Sequence, residues 1–159
     1  MRGKGLLLII LLCILAYFFF FHSGSGVRLI VEKAGGCDKQ VTQGFYCVRS
    51  ENGTVAFSAI VYSYCNSEPG KTIQAFAQTS NHTVTILVKY TGTTATRCVC
   101  PFWIKGSLSR LAGGDYTFKL VFQNNYVGEQ HTIDEVHVRV GRGATTSCEQ
   151  NKQKKGVVG

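Results

Sequence analysis

Val84-Thr85-Ile86-Leu87-Val88-Lys89-Tyr90 sets Val84, Ile86, Val88 and Tyr90 on one side of an extended chain, with Thr85 and Lys89 on the other. A period of two is the signature of a strand with one buried face. The pattern recurs downstream. Tyr116, Phe118, Leu120 and Phe122 alternate with Thr117, Lys119 and Val121, and Val136, Val138 and Val140 alternate with Glu135, His137 and Arg139. Upstream, Val27–Val31 and the β-branched and aromatic run Val55–Cys65 read the same way. Asn52-Gly53, between Phe45–Val48 and Val55–Val61, is the strongest short hairpin signal in the chain. Pro69-Gly70, Thr91-Gly92, Gly113-Gly114 and Asn124-Asn125 punctuate the rest. No segment after residue 26 carries a 3.6-residue apolar stripe. The expectation is an all-β, single antiparallel sandwich of seven or eight strands over residues 26–148.

Composition agrees with one folded domain. The chain has 159 residues, 45% hydrophobic and 16% charged, which excludes a disordered polymer. Its 18 glycines follow no triplet period, which excludes collagen. Ahead of the domain, Leu6–Phe21 is an unbroken run of 16 apolar residues behind Arg2 and Lys4 and before His22-Ser23-Gly24-Ser25. Residues 1–25 therefore read as a signal peptide cut at Gly26 or as a retained signal anchor. The run spans roughly 24 Å as a helix, short of the hydrocarbon core, yet it is longer than most signal-peptide cores. Both readings export everything after Phe21, because the basic residues stay inside. The expected location is secreted, or tethered to the membrane through residues 6–21 with the domain outside.

Cys13 belongs to the leader, which leaves Cys37, Cys47, Cys65, Cys98, Cys100 and Cys148. An even count in an exported domain predicts disulfides. Cys37–Cys47 is the plausible local pair. Cys98 and Cys100 share a strand face and reach different partners, with Cys65 and Cys148 the candidates and the assignment between them open. Metal binding at Cys98-Val99-Cys100 would need a second pair of ligands, which no neighbouring motif provides. Asn52-Gly53-Thr54 and Asn81-His82-Thr83 are glycosylation sequons at expected turns.

The stretch Leu108-Ser-Arg-Leu-Ala-Gly-Gly-Asp-Tyr-Thr-Phe-Lys-Leu120 resembles the approach to the penultimate strand of immunoglobulin-like domains. Glu135-Val-His-Val-Arg-Val140 is similar to their closing strand, and Cys98-Val-Cys-Pro101 resembles exported sandwich domains of bacterial type. The resemblance implies an immunoglobulin-like sandwich. Phe118 stands where antibody-type domains carry a cysteine, and Trp103 does not lie between two core cysteines. Fold alone does not imply function.

The chemistry-bearing residues are few. Glu129, His131, Glu135 and His137 have one parity, so on a single straight strand they would share a face that could hold a divalent cation. A bend at Thr132-Ile133-Asp134 would break that register, and the polar outer face of an edge strand explains the same residues. The chain has no nucleophile elbow, no His-Glu-x-x-His and no phosphate loop, so no enzyme and no cofactor is expected. Without Arg2 and Lys4, fifteen basic residues face nine acidic ones, with Arg139, Arg142, Lys152, Lys154 and Lys155 near the C-terminus. Residues 149–159 are read as a basic, flexible tail, and an exported protein is not expected to meet nucleic acid. Of Phe57, Tyr62, Tyr64, Phe76, Phe102 and Trp103, most are expected in the core. The functional expectation is an exported, non-enzymatic module that binds an extracellular protein or glycan. The alternative is a carrier of a small apolar ligand, suggested by a partial similarity of Cys100-Pro101 and the six-cysteine count to secreted lipid-recognition domains.

Overall fold

The computed structural model describes residues 26–37, 42–143 and 145–148. Among these residues the fold is all β. Eight strands have seven to twelve residues: β1 (Val27–Lys33), β2 (Gly44–Glu51), β3 (Thr54–Tyr64), β4 (Ile73–Ser80), β5 (Thr83–Tyr90), β6 (Val99–Leu108), β7 (Gly114–Asn124) and β8 (Glu129–Val140). A ninth, β9 (Thr145–Cys148), has four. It follows the Gly141-Arg142-Gly143-Ala144 string in the sequence. One sheet has the order β1-β6-β3-β2-β9, and the other has the order β4-β5-β7-β8.

The alternating runs do what their period demands. Val84, Ile86 and Val88 are fully buried, as are Phe118 and Leu120, and they meet Val55, Phe57, Ala59, Val61, Phe102, Ile104 and Leu108 from the facing sheet. One inward position is deliberately empty. A Cβ on Gly106 would lie 2.5 Å from Leu29 Cδ2 and 2.7 Å from Phe57 Cζ, so those two side chains close over the glycine instead.

The expectation of an antiparallel sandwich needs one correction, because β5 and β7 pair in parallel from Thr83↔Thr117 to Tyr90↔Asn124. The cause is topological. After β5 the chain crosses to the other sheet, runs back as β6 between β1 and β3, and crosses again before β7. Two reversals return it to the original direction, so strand β6 serves as the crossover that a parallel pair requires.

Two hairpins and two bulges fix the registers. Asn52 (φ 49°) and Gly53 (φ 74°) make the two-residue turn between β2 and β3, as the sequence predicts. Asn81 (φ 44°) and His82 (φ 63°) make the same kind of turn between β4 and β5 without a glycine. The His82 ring packs 4.9 Å from that of Tyr116, and its carbonyl accepts the Thr117 amide at 2.9 Å, which holds it in this left-handed conformation. The bulges lie between Phe45 and Cys47 in β2 and opposite Leu120/Val121 in β8. Beside the second, the Asp134 carboxylate accepts the backbone amides of Phe45 and Glu135, each at 2.8 Å, and so ties β8, an edge strand of one sheet, to β2 of the other.

Candidate functional site

The outward residues of the five-stranded sheet form rows set by the pairing. One row runs Glu32, Trp103, Ile60, Gly44, and the next runs Ile30, Lys105, Ser58, Cys47, Cys148. Gly44 offers no side chain over Ile60, and the bulge one position on leaves Tyr46 as the extra residue of β2. A bulge re-aims a side chain. Here it swings the Tyr46 ring over β3 to meet Trp103 edge-to-face at 5.0 Å. Ile60 lies beneath them, 1% exposed, although it faces away from the core between the sheets. Tyr46 is 37% and Ile30 40% exposed. Half-buried Tyr62 and buried Pro101 pair beside this cluster. Charge lies to one side of it: Lys105 pairs with Glu32 at 2.6 Å, and farther along the sheet Arg49 pairs with Glu51 at 3.1 Å, with exposed Arg28 in the same row as Arg49. An apolar centre of aromatic and aliphatic groups bordered by ion pairs is the anatomy of a protein-binding patch.

Parity alone could have placed Trp103 and Tyr62 on this face, though not Tyr46. Trp103 alternates with the buried Phe102 and Ile104, and Tyr62 with Val61 and Ser63. Of the aromatic residues expected mainly in the core, Phe57 and Phe102 are there. Trp103 and Tyr62 lie on the outer face, and Phe76 is 44% exposed on the outer face of the other sheet. Tyr64 is half-buried at the end of β3, 5.0 Å from the Tyr90 ring.

The cysteines pair as Cys37–Cys98, Cys47–Cys148 and Cys65–Cys100. The local Cys37–Cys47 pair is therefore corrected: Cys47 stands directly opposite Cys148 in the β2–β9 register, and the chain carries Cys37 to the other end of the sheet past Ala34, whose amide donates to Pro101 O at 2.9 Å. Cys98 and Cys100 do reach different partners. Cys100 takes Cys65, and Cys98 takes Cys37 rather than Cys65 or Cys148. Four sulfurs thereby converge, and the second pair of ligands that Cys98-Val99-Cys100 lacks in sequence arrives through folding. The Sγ atoms of Cys37, Cys65, Cys98 and Cys100 lie within 4.8 Å of one another, the one convergent group of metal-ligating atoms among the described residues.

The other candidates come apart. The bulge in β8 sits between the two Glu-x-His pairs. His131 is opposite the core residue Phe122, with ring centroids 5.9 Å apart, whereas His137 is opposite the outward Thr117, with Nδ1 3.1 Å from Oγ1. Glu129 shares the side of His131, and Glu135, which pairs with Lys119 at 3.1 Å, shares the side of His137. The bend that the sequence hints at thus divides this set between two faces. Asn52 and Asn81 are exposed at their hairpin tips, and both lie at the sandwich end where the chain enters at Gly26. The apolar segment 6–21 and the tail 149–159 lie outside the described residues, among which no helix is long and apolar enough to cross a membrane. A groove of about 460 Å³ between the edges of β1 and β4 is lined by Leu29, Val31, Gln74, Ala75 and Phe76 and opens to solvent.

Three disulfides are the mark of a chain folded in an oxidising compartment. Comparison with known proteins finds no matching family model, no matching curated protein and no matching solved structure.

Proposed function

We propose that this protein is an exported, non-enzymatic recognition module that binds a protein partner through the outer face of its five-stranded sheet. The observation that carries the reading is the Tyr46 bulge, which spends a strand irregularity on placing an aromatic ring outside the core, against Trp103 and over Ile60. Tyr and Trp in such positions provide large, rigid contact area with little entropy to lose. The exposed aromatic pair and the ion pair beside it fit the surface of a protein partner. An immunoglobulin-like sandwich suits the role, since such modules present whole sheet faces, although the parallel β5–β7 pair departs from their all-antiparallel order. The carrier reading draws on the β1–β4 groove, whose exposed Phe76 wall leaves an apolar ligand in water.

The test uses fluorescently labelled protein on intact cells of its source. Wild-type protein is expected to bind saturably, protease treatment of the cells to abolish binding, and Tyr46→Ala with Trp103→Ala to weaken it by about 30-fold, the ratio equivalent to a hot-spot loss of about 2 kcal/mol. Tyr46→Ala alone removes a ring at the bulge and leaves the core intact. Equal binding by the folded variants would overturn the proposal, and sensitivity to glycosidase instead of protease would replace the protein partner with a glycan.

A further inference from the structure

We infer that Cys37, Cys65, Cys98 and Cys100, once their two disulfides are reduced, form a tetrathiolate site for a zinc ion. The two bonds are not merely near each other. Cys65 Sγ lies 3.6 Å from Cys37 Sγ, across from one disulfide to the other. In a tetrahedral site with Zn–S bonds of about 2.3 Å, neighbouring sulfurs stand roughly 3.8 Å apart. Four sulfurs confined within 4.8 Å need only side-chain rotation to reach that arrangement.

The scaffold holds the four residues together independently of the bonds between them. Ser63↔Cys100 and Tyr64↔Val99 are registered pairs of β3 and β6, and the next step places the Cys65 amide 3.1 Å from Cys98 O. Cys37 follows β1, whose seven residues pair with β6 along its length, and the Ala34–Pro101 hydrogen bond continues that pairing toward the cluster. Cys100 lies within β6, and Cys65 and Cys98 stand one residue beyond the paired ends of β3 and β6, so the ladder fixes where these three begin.

The local chemistry favours a soft divalent cation. All four ligands are sulfur, and a tetrahedral set of thiolates selects zinc over the harder cations. The Lys33 ammonium, donating to Cys65 O at 2.6 Å, brings positive charge that partly offsets the charge of four thiolates around a divalent ion. Cys37 is exposed, Cys65 and Cys98 are half-buried and Cys100 is buried, so an ion enters from the Cys37 side.

The reaction balances with a dithiol as reductant. Two dithiols deliver four electrons and four protons, the two disulfides become four thiols, and the dithiols become cyclic disulfides. Zinc then binds the four sulfurs as thiolates and releases four protons. A disulfide oxidant reverses the sequence, takes up four electrons and four protons, and expels the ion as the two protein disulfides re-form.

The full chain in detergent micelles, reduced with a phosphine and titrated with Co²⁺ as a spectroscopic stand-in for zinc, tests the inference. The expected result is one Co²⁺ per chain, with thiolate-to-cobalt charge transfer and tetrahedral ligand-field bands that Zn²⁺ abolishes by displacement. Cys47→Ser with Cys148→Ser, on the outer face, is expected to leave these bands unchanged, and Cys98→Ser with Cys100→Ser to remove them. A reduced chain that keeps its strand circular dichroism but shows no charge-transfer band would overturn the inference. So would a band that survives Cys98→Ser with Cys100→Ser. Loss of the strand signal on reduction alone would overturn it equally, because the proposal requires the β3–β6 pairing to hold the sulfurs in place.

Discussion

Replacing Cys47 and Cys148 together by alanine is expected to lower the unfolding free energy by about 2–5 kcal/mol, the usual cost of losing a native disulfide. This bond joins residues 101 apart in sequence, the longest separation of the three. In the chain-entropy account a loop of about 100 residues is worth near 4.7 kcal/mol, but Cys37–Cys98 and Cys65–Cys100 still constrain the unfolded chain and reduce that figure. The double substitution leaves no unpaired thiol to confuse the result. Its local effect follows from topology: β9 is a short edge strand that pairs only with β2, through four residue pairs, so losing the bond removes its covalent tie to the sheet. Urea unfolding is expected to show the lower stability, and hydrogen exchange to show protection lost first at residues 145–148. Unchanged stability and unchanged protection there would mean that β9 is held by something other than its staple.

Phe118→Ala is expected to cost about 3–5 kcal/mol, the range for truncating a buried phenylalanine. Phe118 is fully buried in the middle of β7, between Val84 of β5 and Val136 of β8, and its ring faces the other sheet. Close packing leaves nothing to fill the space except a costly shift of two sheets. Phe76→Ala is the internal comparison. Its ring is 44% exposed on the outer face of an edge strand, and a change there should stay within about 0.5 kcal/mol. The urea midpoint of Phe118→Ala should fall with the slope unchanged, while Phe76→Ala leaves both in place. Similar effects for the two would contradict the assignment of faces.

The fold class is legible because burial on one face leaves a two-residue period, and Val84–Tyr90 shows it without interruption. The Asn52-Gly53 hairpin is legible because few residue pairs accept two consecutive positive φ angles. Strand β4 is harder to read, since Ala75, Ala77, Gln74 and Gln78 have weak strand preference and it forms through the β5 ladder. The parallel pair is invisible in principle to a local pattern, because it depends on which sheet each crossing enters. Disulfide pairing fails for the same reason: Cys37 and Cys47 are close in sequence, but Cys37 lies beyond the end of β1 beside Cys98, whereas Cys47 lies within β2 opposite Cys148. The outward placement of Tyr46 is not legible in the sequence because a bulge shifts parity at one residue, and parity is the whole of the sequence signal. The same device in β8 separates Glu129 and His131 from Glu135 and His137.

Peptide mapping of the unreduced protein from its own source, with intact mass before and after reduction, tests the claim on which the rest stands: that this is an exported sandwich closed by disulfides. The account predicts a gain of six hydrogens on reduction and cross-links joining Cys37 to Cys98, Cys47 to Cys148 and Cys65 to Cys100. Free thiols at these positions in freshly isolated protein, or a Cys37–Cys47 cross-link, would contradict it.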